Sequence, residues 1–474
     1  MTSQPQLYPH RWKALIVLAL SLLVVSIDNT ILNVALPTIR AELDASSSEL
    51  QWIVDSYLLV FAGLLLAAGT LGDRFGRRRA LFVGLTIFGI GSVLAALSDG
   101  STALIASRAL MGVGGAAIMP TTLSIIANMF PAHERPKAIA IWAAVSGMGI
   151  ALGPITGGFL IEHFAWSSVF LVNLPVVVVC LIAGAALVPE SRDERKPRLD
   201  VRGALLSVAG LTAIVWGLIE APERGWTSGT ILAAFATGAA IMLAFVWWER
   251  RCKQPMLEVS VFRNLRFSAA SVSITFVFFA LMGVMYFMTT YLQSVLGYGA
   301  LKAGIRTVPI AVGLIASSKL SVALTARFGT KIVVANGLAT VAGALVLLST
   351  ASVDSGYWLV GTALAQMGLG IGLSMAPATD AIMGALPKAK AGIGSAMNDV
   401  VREVGGTLGV AVLGSVLTST YASGMHDATA GLTGAAEEAA SDSVGAAHEV
   451  AAQVGGDAGA ALVAGALVLL STAS

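Results

Sequence analysis

The sequence predicts an all-α polytopic membrane protein, folded as two parallel six-helix bundles with two further helices inserted between them. Three observations lead there. Hydrophobic residues make up 56% of the 474-residue chain and charged residues only 12%, against about 25% charged in a soluble domain. Apolar runs of about 18 to 25 residues, enough to cross roughly 30 Å of hydrocarbon as helix, recur along its whole length. Short motifs of the first half also return in the second.

Thirteen spans are expected, near residues 12–36, 50–71, 80–98, 102–127, 138–161, 167–188, 203–220, 229–248, 267–292, 303–326, 332–350, 357–380 and 391–419. A fourteenth stretch, from 458 to the end, has an apolar part of some 14 residues, short of the usual 17 or so. Thirteen or fourteen helices are therefore open. The first span follows a polar dozen residues with no small-residue cleavage site, so it reads as a retained helix rather than a signal peptide. If the N-terminus is cytoplasmic, the loops RWK, GDRFGRRR, ERPK, SRDERKPRLDVR, ERRCK with FRNLR, ARFGTK and PKAK fall on that side and hold 22 of the 29 Lys and Arg. That asymmetry predicts the orientation. Eight of nine tryptophans, all but Trp216, lie near span ends, as an interfacial belt would have them. Cys180 and Cys252 offer neither a disulfide framework nor metal spacing.

The repeat sets the domain plan. MGVG at 111–114 returns as MGLG at 367–370, Pro120 as Pro377, the FP of Pro131 as the LP of Pro387, and RFGRR at 74–78 as RFGTK at 327–331. The third span matches the eleventh and the fourth the twelfth, an even shift, so the halves run the same way across the bilayer. Parallel halves around a central cavity suit a rocking transporter. The expected division is 1–190 for the N-terminal bundle, 191–266 for two inserted linker helices with basic flanks, and 267–474 for the C-terminal bundle, with an extracytoplasmic acidic loop near 420–457.

Charges inside the spans are the candidate site, because a charge at the bilayer centre costs about 2.5 to 3.5 kcal/mol on insertion scales and persists for a reason. Asp28 in SIDNTILNVALP lies eight residues below the outer end of its span and Arg108 in LIASRALMGVGGA six below its own, about 12 and 9 Å deep. At matching depths the arginine can offset the carboxylate. Either they form a permanent ion pair, or Asp28 takes a proton or cation in one conformation and meets Arg108 in another. Asp399 and Glu403 in the thirteenth span are four residues apart on one helix face. Ionising both in low dielectric is unfavourable, which suits one of them to carry a proton. A permanent pair with Arg306 or Lys319 of the tenth span is the alternative. Asp55, near the outer edge of the second span, is expected as a gate or substrate contact.

Two motifs add detail. In GTLGDRFGRRRAL, residues 69–81, Asp73 sits beside Arg74, Arg77 and Arg78, where charge-assisted pairs could hold a cytoplasmic gate. In VSGMGIALGPITGGFL, residues 145–160, Gly149, Gly153 and Gly157 share a face on which another helix can approach closely, and Pro154 removes a backbone hydrogen bond. At these residues the chain resembles the major facilitator superfamily. The likeness lies in Gly69, Leu71, Asp73, Arg74, Gly76 and Arg77 of the cytoplasmic gate motif, and in Gly149, Gly153, Pro154, Gly157 and Gly158 of the antiporter motif of drug exporters. WIVDSYLL, FLVNLP at 170–175 and YLQSVLGYGALKAGIRTVP at 291–309 point to its 14-helix drug:proton antiporter branch. The resemblance covers roughly 12–420. It departs at Trp166-Ser167-Ser168, where the branch has W-R-W, at Ala326, where the gate acid would repeat, and in the curtailed last span.

The resemblance implies a major facilitator fold and a secondary efflux transporter exporting lipophilic, cationic drugs in exchange for protons. Asp28, Arg108, Asp399 and Glu403 would then serve proton coupling and substrate binding. Expected partners are small-molecule drugs, protons and membrane lipid, with no nucleic acid, a monomeric state, no cofactor beyond the proton-motive force, and residence in a bacterial cytoplasmic membrane. No phosphate-binding loop, nucleophile elbow or clustered histidines occur, so ATP-driven transport and a membrane enzyme are disfavoured. Export of an endogenous metabolite or self-made antibiotic is the main rival, and a non-transporting receptor on the same fold is a more distant one.

Overall fold

The computed structural model describes residues 8–131, 134–192, 200–252, 255, 257, 259–351, 355–385 and 391–428, together with 440, 447, 450 and 451. The first half comprises α1 (Arg11–Leu43), α2 (Ser47–Phe75), α3 (Arg77–Ala96), α4 (Ser101–Met129), α5 (Arg135–His163), and α6 (Ser168–Leu171), which runs into α7 (Asn173–Leu187). Helices α8 (Val201–Arg224) and α9 (Gly229–Arg251) are the insertion. The second half holds α10 (Leu265–Thr290), α11 (Ala300–Arg306) leading into α12 (Val308–Phe328), α13 (Thr330–Leu348), α14 (Tyr357–Gly384) and α15 (Ala391–Ala428). Among the described residues there is no strand, and twelve helices or helix runs are long and apolar enough to span a bilayer. The fourteenth predicted stretch lies outside the described residues.

Several helices outrun their predicted spans, each for a local reason. Helix α1 continues through Pro37 to Leu43, because Ile39 beyond the proline is fully buried and the loss of one backbone donor is tolerated there. A reciprocal cap between Ser46 and Glu49 starts α2 three residues early. The 69–81 stretch is almost all helix: Gly76, at φ 118°, makes the whole turn between α2 and α3, a conformation open to glycine and strained for other residues. Helix α15 runs to Ala428, so 420–428 of the expected acidic loop are helical. The rest of that loop, apart from four isolated positions, lies outside the described residues.

The sequence repeat is a packing repeat. Gly112 lets α4 approach the Tyr57 carbonyl of α2, and Gly368 lets α14 approach the Ile310 carbonyl of α12. Gly114 meets the Gly84 carbonyl of α3, and Gly370 meets the Gly337 carbonyl of α13. A side chain at any of the four would strike backbone, so the duplicated glycines are what closes each helix trio.

Described contacts between the halves gather at the end holding the α1–α2 and α5–α6 turns. Gln293 donates to the Val34 carbonyl at 3.0 Å, the Leu301 amide donates to Glu162 Oε1 at 3.0 Å, Gly304 abuts Pro154, and Ser415 Oγ lies 3.5 Å from Gln51 Oε1. Deeper in, Gly406 faces Leu58. The inserted helices are more than a linker. Val208 of α8 fills the notch at Gly63; Val215 and Ile219 pack with Leu59 of α2 and Ala411 of α15; and the Leu218 carbonyl accepts from Ser415 at 2.5 Å. Helix α8 thus covers the seam between the halves, while α9 stacks on it and presents Leu232, Leu243 and Trp247 outward.

Candidate functional site: charges buried between the halves

Asp28 of α1 and Arg108 of α4 are fully buried, at 0% and 1% side-chain exposure, with Arg108 Nη1 2.5 Å from Asp28 Oδ2. The other oxygen, Oδ1, accepts from Asn173 Nδ2 of α7 at 3.0 Å, and that amide also reaches Ser92 Oγ of α3 at 3.2 Å. Arg108 Nε donates to the Ile53 carbonyl of α2 at 3.1 Å, and its guanidinium lies 4.4 Å from the centre of the Tyr57 ring. Five helices therefore meet on one ion pair. A carboxylate with both oxygens bonded and a guanidinium with carboxylate, carbonyl and ring around it is how two buried charges remain affordable.

Asp399 and Glu403 of α15 belong to the other half. Asp399 is buried and within hydrogen-bond range of Asn398, while Glu403 is partly exposed. Arg402 lies in electrostatic range of both acids, yet among the described residues neither forms an ion pair. The Arg402 guanidinium sits 5.4 Å from the Phe278 ring instead. The alternative partner Arg306 is engaged elsewhere, stacked at 4.0 Å on both Tyr298 and Tyr357 and bonded to the Tyr298 hydroxyl at 2.9 Å. The Lys319 side chain lies outside what is described. By formal charge Asp399, Arg402 and Glu403 sum to one negative charge, whereas the Asp28–Arg108 pair sums to zero.

Asp55 stands apart from both. It is fully buried, and neither carboxylate oxygen has a hydrogen-bond partner among the described residues. One turn before it, Gln51 meets Gly414 and Ser415; one turn after it, Leu59 packs with Val215, Ile219 and Ala411. The same helix face carries Asp55 into the seam of α2, α8 and α15. It belongs to the contact between halves rather than to the Asp28 site.

The two motifs divide their work. Gly149, Gly153 and Gly157 of α5 face Ser26, Thr30 and the Ile31 carbonyl of α1, the helix that carries Asp28, and Thr30 Oγ1 donates to the Gly149 carbonyl at 3.0 Å. Gly158 and Pro154 face the other way, against Ala300, Leu301 and Gly304 of α11. In the 69–81 motif Gly69 faces Pro120 of α4, Arg77 bonds Asp73 at 2.7 Å and Arg74 covers the Phe75 ring. The Asp73 pair is thus internal to its own turn. Glu190, beyond α7, accepts from the Arg78 amide at 3.1 Å and lies near the Arg78 and Arg79 guanidinium groups at 3.9 and 3.8 Å.

Sequence reasoning missed Asn173, Tyr57 and Glu190. A signal existed for Asn173, a lone amide in the apolar run FLVNLP. Tyr57 reads as one more core aromatic until its neighbours are known.

Comparison with known proteins points one way. Residues 18–410 match the family model of the Major Facilitator Superfamily. The multidrug efflux pump LfrA of Mycolicibacterium smegmatis is 39% identical over 413 residues, 87% of this chain and 82% of that protein. The tetracenomycin C resistance and export protein of Streptomyces glaucescens is 34% identical, covering 86% and 76%. The methyl viologen resistance protein SmvA of Salmonella typhimurium is 33% identical, covering 87% and 84%. Among solved structures, a bacterial homologue of the human lysosomal transporter Spinster, inward-facing and unoccupied, superposes with a TM-score of 0.66 at 18% identity, over 98% of this chain and 94% of that one.

Proposed function

The chain belongs to the Major Facilitator Superfamily, a family of membrane transporters rather than enzymes, and from that premise we propose that it is a drug exporter driven by protons, with lipophilic cations among its cargo. A multidrug efflux pump, a tetracenomycin C resistance and export protein and a methyl viologen resistance protein among the relatives support the drug-export part. The observation that carries the coupling is the contrast between the two charged clusters: Asp28 fully compensated by Arg108 and Asn173, Glu403 partly exposed beside Asp399 without an ion pair. A site with surplus negative charge attracts a cation, and protonation removes that attraction, so cargo and proton compete for the same charge. Competition of this kind is reciprocal linkage.

In the cycle we infer, Glu403 and Asp399 hold the cation while the cavity faces the cytoplasm, and protons displace it when the cavity faces outward. Asp28 exchanges Arg108 for a proton as the halves rock, and Asp55 serves the outer seam as a gate residue. With the N-terminus in the cytoplasm of a bacterial cell, the contacts at the α1–α2 and α5–α6 turns close the outer side. A pH unit of gradient supplies about 1.4 kcal/mol per proton. A 100 mV potential supplies about 2.3 kcal/mol per net charge moved. A one-for-one exchange of proton and monovalent cation would leave the potential unused, which favours more than one titrating acid. No cofactor is required and a single chain suffices. Export of a self-made antibiotic is the second reading, favoured by the tetracenomycin exporter among the relatives.

Ethidium efflux from loaded vesicles, with and without a proton uncoupler, tests the reading. Efflux that collapses with the uncoupler, and in Glu403→Gln, is expected. Efflux indifferent to the uncoupler overturns the coupling, and full efflux in Glu403→Gln overturns the assignment of the acid.

A further inference from the structure

We propose that Ser415 of α15 is a positioning residue for the outward-closed state, its hydroxyl clasping α15 to α8 at a carbonyl that Pro222 leaves without a helical donor. The proposal rests on the functional reading above for its place in the cycle and on the geometry of the seam for the clasp itself.

Pro222 lies inside α8, and a proline has no backbone N–H to give to the carbonyl four residues before it. That carbonyl belongs to Leu218. Ser415 Oγ lies 2.5 Å from the Leu218 oxygen, 2.6 Å from the oxygen of Ala411 in its own helix and 3.5 Å from Gln51 Oε1. The hydroxyl has a single proton to donate. The Ala411 oxygen already takes the helical amide of Ser415, so the Leu218 oxygen is the acceptor that lacks a partner of its own. Ser415 is fully buried, and at this point the seam offers the carbonyl a side chain rather than solvent. Leaving such an acceptor unserved is costly, which gives the serine a reason to be here.

The two partners belong to bodies that move apart. Helix α8 is fastened to the first half from Val208 to Glu220: Val208 fills the notch at Gly63, Val215 and Ile219 pack with Leu59, and Glu220 accepts from Ser48 at 3.0 Å. Toward α15, the described side-chain contacts of α8 begin at Ala411 and lie outward of it. Ser415 meets Leu218, and one turn on, Trp226 Nε1 donates to Ser419 Oγ at 3.1 Å. Ala411, Ser415 and Ser419 are spaced by four and share one helix face. Helix α8 therefore travels with the first half, and α15 is held against it only over its outer part.

As the halves rock to open the outer side, Ser415 draws away from α8 and the Leu218 carbonyl loses its donor. Hydrogen bonds weaken steeply with distance, so a shift of about an ångström releases the clasp. The proline thus turns a backbone atom of the inserted helix into a docking point for the opposite half, and the bond made there favours the closed outer side.

The test is a double-mutant cycle of Ser415→Ala and Pro222→Ala in the full-length chain. It is read by the rate at which a cysteine at the outer end of α15 reacts with a water-soluble thiol reagent, below the melting temperature of every variant. Ser415→Ala is expected to speed labelling about fivefold, the shift that one lost hydrogen bond makes in an open–closed equilibrium. Pro222→Ala returns an amide to the Leu218 carbonyl, and in that background Ser415→Ala is expected to change labelling by less than about twofold. Labelling unmoved by Ser415→Ala, or moved by the same factor with and without Pro222, overturns the clasp whatever happens to the melting temperature. If Ser415→Ala does not fold, Trp226→Phe at the half-exposed end of the seam carries the same expectation, and unchanged labelling in it overturns the clasp. Ethidium efflux from reconstituted vesicles separates the two readings. A wild type that exports no ethidium while the labelling cycle shows coupling removes the drug-export reading and leaves the clasp standing; proton-driven efflux with independent labelling effects does the reverse.

Discussion

Asn173 Nδ2 lies 3.0 Å from Asp28 Oδ1, on the oxygen that Arg108 leaves free. The amide bonds the carboxylate from a third helix, so the neutral pair ties α7 to α1 and α4. Asn173→Leu is expected to destabilise the protein by about 1.5 to 3 kcal/mol, the cost of a buried charged acceptor losing one donor. Its melting temperature in detergent should fall accordingly, and Asn173→Gln should recover little, since one more methylene displaces the amide from its 3.0 and 3.2 Å contacts with Asp28 and Ser92.

Arg108 compensates one charge and is compensated by it. Arg108→Met alone leaves a buried carboxylate unpaired, for an expected loss of about 3 to 5 kcal/mol. Combined with Asp28→Asn, most of that stability should return while uncoupler-sensitive ethidium transport stays absent. Thermal melting and transport measured on Arg108→Met, on Asp28→Asn and on their combination separate the two roles. Transport retained in the double variant would remove Asp28 from the coupling.

Close packing of α5 on α1 depends on Gly153, where a side chain would run into Thr30 Oγ1. Gly153→Ala is expected to cost about 1 to 3 kcal/mol through overpacking. Gly100→Ala is the control: nothing lies within 4 Å of the position and its backbone is extended. Melting curves of the pair should differ by several degrees.

Gly76 and Glu190 meet at the α2–α3 turn, and the backbone matters more than the charge. Gly76→Ala forces a side chain into φ 118° and against Glu190, for an expected loss of about 1 to 3 kcal/mol. Glu190→Gln removes only half-exposed ion pairs at 3.8 and 3.9 Å and should cost less than about 1 kcal/mol.

Asp55 gives a prediction of opposite sign. Replacing a buried carboxylate that has no described partner by its uncharged amide, Asp55→Asn, is expected to hold or raise the melting temperature. If the acid serves the outer seam, the same variant should change how fast cysteines placed at the outer ends of α2 and α15 react with a water-soluble thiol reagent. Unchanged labelling would make Asp55 a bystander.

Helix existence, membrane class and the two-half plan were legible in the chain because they depend on local quantities. Apolar length decides whether a segment spans, and MGVG and MGLG repeat because each must admit a neighbouring backbone. The Asp28–Arg108 relationship was also within reach, since depth along a helix follows from counting residues at a fixed rise. Tertiary structure alone decided the rest. Asn173 joins Asp28 from 145 positions away in sequence, Tyr57 lies under Arg108, α8 roofs the α2–α15 seam, and Asp55 turns into that seam away from the other acids. Which face of a helix meets which neighbour is a property of the packed bundle. In a bilayer, where lipid is as apolar as leucine, no hydrophobic stripe along a single helix announces that face in advance.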